Sequence, residues 1–346
     1  MRLLIISNMY PSIAKPYSGI FVKNQFEFLK KVDGITTSII YMERTFTGKF
    51  GSIIKYLNFY LRFFPYLFKK YDIIHVHFFT VHFFMAYFYK TLRPKTKIIV
   101  TFHGPEIYEA EGNGLIAKLL RFTSKKIDYC IAVGNNQLNV IKQIIRTKES
   151  KVLCAGIDKT KFYKIEGSKK EYDFLYIGSF YSMKGVDVVI DAIKILDDKN
   201  IRFCFVGSGE YLEEIKKLQE NYNISLFLNI DHDKLVEVYN KAKYLILPSR
   251  FDAFGLVITE AMYCGVPAIV APTGGLKEQV TDNYNGWILK ENTPQQLASK
   301  IKEVQKQNES EYKFFSENAL NSNADKSLEY VCNELVSIYK NLYASN

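Results

Sequence analysis

Two carboxylates eight residues apart give this 346-residue chain its most informative chemistry. They lie in the run PSRFDAFGLVITEAMYCGVP, from Pro248 to Pro267, as Asp252 and Glu260. Glu260 sits inside an apolar helix, flanked by Ile258, Thr259, Ala261 and Met262. A lone acid there is costly to bury without a partner. That partner is a cation elsewhere in the chain or a ligand rich in hydroxyls. Gly265 and Pro267 terminate the helix. At its other end, the amides of Phe254, Gly255, Leu256 and Val257 lack intrahelical acceptors and suit an anion. Hydroxyls and an anion at one helix start suggest a nucleotide sugar.

Other segments carry weaker signals. In FLYIGSFYSMKGVDVVIDAI, Gly178 leaves a strand, and Lys184 and Gly185 open a helix. A lysine there opposes the helix dipole, which a bound anion would relieve; a solvated surface lysine is the alternative. VGSGE, Val206 to Glu210, is a glycine turn after a strand. Leu212 stands where a dinucleotide fingerprint has its third glycine, which argues against a dehydrogenase. PTGGLKEQV, Pro272 to Val280, adds a double glycine at another helix start. The segment Ser7 to Gln25 leaves the first strand through a long loop, and Gly19 stands at the next helix start, as a ligand-facing backbone or only a turn. His103, in TFHG, ends a central strand, where catalytic groups sit in open α/β sheets. His75 and His77 share one strand face, and with no acid or cysteine nearby they read as core rather than metal ligands.

The elements that must position these groups alternate strand and helix throughout. Strands are predicted at 2–7, 36–42, 73–77, 97–102, 129–133 and 151–155, then at 174–177, 203–206, 226–228, 244–247 and 268–270. Helices are predicted between them, including 52–69 and 255–264, and an amphipathic segment, 327–343, closes the chain. Such alternation implies an α/β protein with two parallel sheets covered on both faces. We expect an N-terminal domain over 1–160, a linker near 159–172, a C-terminal domain over 161–325, and a final helix over 326–346 able to cross back to the first. Ligands of such folds bind at the carboxyl ends of the strands, here in a cleft between two facing domains.

Composition narrows the function classes. The net charge is +10, and it is uneven. Residues 1–160 hold 24 Lys and Arg against 10 Asp and Glu; residues 161–346 hold 22 against 26. The halves therefore suit different partners. No nucleic-acid recognition motif accompanies the charge. Five widely spaced cysteines without a CxxC argue against disulfides and zinc and for a reducing compartment. No apolar stretch reads as a signal peptide or a transmembrane helix. Lys49 to Lys70 is basic, acid-free and aromatic-rich, and Lys55, Arg62 and Lys69 repeat at seven-residue spacing. That pattern fits a helix resting on an anionic membrane, kinked at Pro65.

In this order, YPS…GIFVKNQ, DIIHVHF, TFHG, GSFYSMKG, VGSGE, PSRFDAFGLVITEAMYCGVP, GGLKEQV and NGWIL resemble the retaining GT-B glycosyltransferases of family 4 over nearly the whole chain. The resemblance implies two Rossmann-like β/α/β domains facing each other across a cleft. It implies that Glu260 binds the ribose, Asp252 the donor sugar and Lys184 the diphosphate, helped by Gly19 and the amides at 254–257. It puts His103 near the transferred sugar, makes Gly178 and Ser179 part of the donor loop, and lets Gly207, Asn229 and Ile230 frame the base. Two positions depart from the family pattern: Asp252 replaces the first glutamate of Glu-x7-Glu, and Ser179 stands where arginine is common.

The expected reaction is hexosyl transfer with retention from a nucleoside-diphosphate donor, UDP favoured, to a hydroxyl of a glycan or lipid-linked acceptor. Surface polysaccharide assembly at the inner face of the cell membrane is the expected setting. No metal or cofactor is expected, since no DxD-type acidic cluster occurs. A sugar-nucleotide epimerase of the same architecture and a non-catalytic sugar-nucleotide-binding subunit are the alternatives.

Overall fold

A computed structural model describes residues 1–12, 18–43, 48–104, 106–145, 147 and 149–345. Part of the first loop, at 13–17, lies outside the described residues. The chain forms two compact units, Met1–Gly156 with the stretch from Leu328, and Ile157–Ser327.

In the first unit the strands are β1 (Arg2–Ser7), β2 (Thr36–Tyr41), β3 (Ile73–His77), β4 (Lys97–Phe102), β5 (Tyr129–Ala132) and β6 (Glu149–Val152). In the second they are β7 (Tyr172–Ile177), β8 (Phe203–Val206), β9 (Ile224–Phe227), β10 (Ala242–Leu247), β11 (Ala268–Val270) and β12 (Gly286–Ile288). Among the described residues each unit holds one six-stranded sheet, ordered β2-β1-β3-β4-β5-β6 and β12-β11-β10-β7-β8-β9. All pairings are parallel. Both are doubly wound Rossmann-like sheets, and the fold is the two-domain α/β GT-B architecture.

Alternation along β1 builds two cores in the first unit. Leu4 and Ile6 face the layer containing Phe59, Phe83, Tyr89, Leu120 and Ile141. Leu3 and Ile5 face the other side, against Val22 and Leu29 of helix Ile20–Leu29 and Val331, Leu335, Ile338 and Leu342 of helix Leu328–Ala344. The last helix therefore shares the cover of one side of the first sheet with helix Ile20–Leu29. The second unit repeats the scheme, with Leu175, Leu245, Ile258 and Met262 on one face and Phe174, Tyr244, Val189 and Trp287 on the other.

Several expectations need correction. The strand Gly286–Ile288 and the helices Glu106–Glu111 and Glu309–Asn321 were not predicted. The two pieces beside short loops are too brief for a clear period; the third is well formed, with a complete capping box from Asn308 and Glu311. The segment predicted as a linker packs on the second unit, where Phe162 is buried against Tyr239. Near 52–69, the α-helix is Gly48–Phe63 and a 3₁₀ turn, Phe64–Phe68, follows at Pro65. Lys69 lies in extended backbone beyond it, so it cannot share a helical face with Lys55 and Arg62. Arg62 pairs with Glu43 at 2.6 Å. The outward residues of this helix are instead largely apolar: Ile53, Ile54, Leu57 and Leu61 are exposed. Among the described residues, no helix is long and apolar enough to cross a membrane.

Candidate active site

In the second unit, strand order reverses between β7 and β10, which puts the loops after these strands at the point where doubly wound folds bind ligands. The loop after β7 carries Gly178, Ser179 and Lys184; the loop after β10 carries Asp252, Phe254 and Gly255. They lie backbone to backbone. Gly185 has φ +71°, and a β-carbon there would come within 1.9 Å of the Pro248 carbonyl oxygen. Only glycine meets both demands. Arg250 donates to both carboxylate oxygens of Asp187 at 2.7 and 2.6 Å, and its amide donates to the Met183 carbonyl at 3.0 Å. The Tyr176 hydroxyl, held neutral by burial, donates to the carbonyls of Ser179 at 3.0 Å and Lys184 at 3.3 Å.

This backbone delivers Lys184 Nζ to Asp252 Oδ2 at 2.6 Å. The two predicted site residues, 68 positions apart, form one ion pair. Asp252 Oδ1 also faces the Phe254 amide at 3.4 Å, so one of the four predicted anion-binding amides is directed to the chain itself. Gly255, Leu256 and Val257 form the start of helix Leu256–Tyr263, whose first-turn amides have no acceptor within the helix. The lysine ammonium carries three hydrogens, so a phosphate oxygen can share it with Asp252.

Glu260 is 6% exposed, and its partner is a phenol. Tyr239 Oη donates to Oε2 at 2.8 Å, and His232 Nε2 lies 3.6 Å from Oε1. Burial, then the Glu260 charge, push the Tyr239 hydroxyl well above its ordinary range, so it stays a donor. Phe162 packs edge-on against both rings. Sequence reasoning missed Tyr239 and His232, which come from separate segments; the unexplained buried acid was the only signal that a donor must exist. It also missed Gln279, whose Oε1 accepts from Thr259 Oγ1 at 2.5 Å and whose Nε2 donates to the Gly255 carbonyl at 3.1 Å.

Gly207 follows β8, and a β-carbon on it would meet the Gly178 carbonyl oxygen at 1.9 Å. Its smallness thus serves packing of two loops. Asn229, with φ +55°, and Ile230 follow β9 and lead into His232.

His103 and Gly19 belong to the first unit, where they end β4 and start helix Ile20–Leu29. Gly19 lies against the Met9 backbone, and Phe21, two residues on, packs on the His103 ring at 4.7 Å. His103 Nε2 is 3.1 Å from His77 Nδ1, and its amide donates to Glu106 Oε1 at 2.5 Å. His75 is buried, with Nδ1 at 2.7 Å from Tyr339 Oη and Nε2 at 2.7 Å from Thr101 Oγ1. Burial, and then neighbouring imidazoles, hold His75, His77 and His103 well below the ordinary histidine range, His77 at about 3. All are neutral at pH 7. Burial also raises the Glu106 carboxyl to about 7. His77, read from sequence as core, is also the side chain that orients His103.

Comparison with known proteins matches residues 158–322 to Glycosyl transferases group 1 and residues 27–161 to Glycosyltransferase Family 4. An uncharacterized glycosyltransferase of Methanocaldococcus jannaschii is 28% identical over 87% of this chain and 89% of its own length. The N-acetyl-alpha-D-glucosaminyl L-malate synthase of Bacillus anthracis is 28% identical over 63% of this chain and 61% of its own. Among solved structures, a sucrose-phosphate synthase from Thermosynechococcus elongatus superposes with a TM-score of 0.81 over the full length of both chains at 17% identity. Anabaena HepE in complex with UDP-glucose superposes with a TM-score of 0.75 over 99% of this chain and 100% of its own, at 14% identity. With both halves matched in order and the GT-B fold present, the chain belongs to the group 1 glycosyltransferases.

Proposed function

We propose that the protein transfers a hexose, with retention, from a UDP-sugar to a hydroxyl of a glycan or lipid-linked acceptor in surface polysaccharide assembly. The observation that carries this reading is the Lys184–Asp252 ion pair at the mouth of β7 and β10, in the loop that leads into the helix of buried Glu260. The solved HepE complexes with UDP and with UDP-glucose support the choice of donor.

In the proposed reaction the acceptor oxygen bonds to the anomeric carbon as the bond from that carbon to the diphosphate oxygen breaks. The acceptor proton passes to the leaving diphosphate. Lys184 and the amides of Gly255, Leu256 and Val257 stabilise the charge that builds there, by fixed electrostatics that need no reorganisation. Glu260 accepts from the ribose hydroxyls while Tyr239 holds its other oxygen. Asp252 accepts from the sugar hydroxyls. Gly178, Ser179, Gly207, Asn229 and Ile230 shape the donor pocket of the second unit, and Gly19 and neutral His103 of the first unit are assigned to the donor by the family resemblance alone.

A basic first half and the exposed apolar residues on helix Gly48–Phe63 support an acceptor held at an anionic membrane. The test is a screen of UDP- and GDP-sugars, following nucleotide release with and without cell-lipid extract. Release from a UDP-hexose, increased by lipid, is expected. Conversion of the donor without any acceptor would replace transfer by epimerisation; donor binding without turnover would leave a binding subunit.

A further inference from the structure

At the amino ends of β1 and β2, opposite the strand ends that carry His77 and His103, lies a cavity of about 500 Å³. Arg2, Thr36, Ser38, Phe68, Lys69, Lys70 and Tyr71 line it. Its origin is a break in the strand pattern. Arg2 pairs in register with Thr36 and Leu4 with Ser38, so these side chains share the face that continues as Leu4, Ile6 and Ile40 in the core. Thr36 and Ser38 occupy positions where apolar residues would extend that core. The face ends in a polar hollow instead.

Its cationic rim is held in place. Lys69 and Tyr71 are tied by one phenol: Tyr89 Oη donates to the Lys69 carbonyl at 2.6 Å and accepts the Tyr71 amide at 2.9 Å. Thr96 Oγ1 donates to the Tyr71 carbonyl at 2.9 Å, and Arg93 donates to the Leu67 carbonyl at 2.6 Å. Three cations thus line the cavity, and no acid does. The neighbouring Asp72 carboxylate accepts the Arg2 amide at 2.7 Å. Among the described residues none of the Arg2, Lys69 and Lys70 side chains pairs with a carboxylate. Such a cluster is relieved by an anion of matching size.

Beside the cavity, Phe68 and Phe64 stack edge to face at 5.2 Å, yet are 73% and 58% exposed. Ile53, Leu57 and Leu61 continue this apolar rim along the preceding helix. A water-soluble phosphate ester has no use for such a collar; a lipid does. We propose that this cavity holds the phosphate of an anionic phospholipid headgroup, with Arg2, Lys69 and Lys70 as its cations and Phe64 and Phe68 entering the acyl boundary. This rests on the membrane-held acceptor reading above and gives it a defined lipid site, remote from the donor loops in sequence.

The test uses the full chain and phosphatidylcholine vesicles with and without phosphatidylglycerol. Arg2→Gln, Lys69→Gln and Lys70→Gln combined should weaken binding to the anionic vesicles by about 10²-fold, roughly five-fold per cation. A second triple variant, Lys118→Gln, Lys125→Gln and Lys142→Gln, removes equal charge from exposed positions of the same unit and should cost much less. Equal losses in the two variants would overturn the site in favour of diffuse attraction. Phe68→Ser should weaken vesicle binding while leaving the cations in place. Soluble glycerol 3-phosphate, titrated by calorimetry, should bind far more weakly than vesicles; tight binding with no dependence on vesicles would reassign the cavity to a free phosphate ester and overturn the lipid. UDP release is followed on every variant. Its absence in the wild type would sink the transferase reading, while the vesicle comparison would still decide the cavity.

Discussion

Lys184 and Glu260 do opposite work with charge. Lys184 is partly open and can turn from Asp252 to a phosphate oxygen, whereas Glu260 is buried and held by Tyr239. Lys184→Ala should lower turnover about 10²-fold or more, by analogy with loss of one oxyanion donor. Near-normal kcat in that variant would remove the lysine from the mechanism. Asp252→Asn keeps the shape but frees the ammonium, so it should affect sugar use more than nucleotide binding; a comparison of Kd for UDP and for UDP-sugar checks this. Tyr239→Phe leaves a buried carboxylate oxygen without its donor, and should cost about 1–3 kcal/mol of stability in urea denaturation. An unchanged midpoint would show that His232 or solvent replaces the phenol.

At the scale of elements, close loop packing fixes the site. Gly185→Ala sets a β-carbon on the Pro248 carbonyl and keeps a left-handed φ, so the loops after β7 and β10 must part. We expect more than about 2 kcal/mol of destabilisation, since overpacking adds to the backbone strain. Gly34→Ala, at φ +80° with open space around it, should cost only about 1 kcal/mol. Equal costs would show that the loop contact is soft. The turn after β4 carries a titration of its own. Glu106, raised from 4.5 to about 7 by burial, binds its proton more tightly folded than unfolded. The stability it contributes is full below pH 4.5 and is lost as pH rises through 7, about 3 kcal/mol in all. The stability difference between wild type and Glu106→Gln should therefore shift by that amount between pH 4.5 and 7.5; a flat difference would refute it. His82, lowered to about 4 by burial, acts in the opposite sense, losing stability as pH falls below 6.5, which is why the comparison is made against one variant.

On the scale of the whole molecule, the last helix belongs to the first unit although it follows the second in sequence. It covers Leu3 and Ile5 and supplies the Tyr339 hydroxyl to His75, which lies beside His77 and so behind His103. Deleting residues from Leu328 onward should destabilise the first unit and spare the second. Calorimetry should show one transition lowered and one retained; two unchanged transitions would refute the packing argument.

Periodicity made the α/β alternation legible, and most strands fall where their apolar runs do, because a parallel strand buried on both faces has few polar interruptions. β12 escaped because it opens on Gly286 straight after the turn-forming run Asp282–Asn285, and the 3₁₀ turn at Pro65 hid Lys69 from any helical face. The order of the motifs, the acid on the apolar helix at 260 and the uneven charge are legible along the chain, since these are local chemistry. It takes the folded chain to make Asp252 and Lys184 one ion pair, to set Glu260 against Tyr239, and to bring Arg2 to Lys69 and Lys70 at one cavity. Those partners are far apart along the chain, and contact between them is set by sheet order and loop packing, which no local pattern encodes.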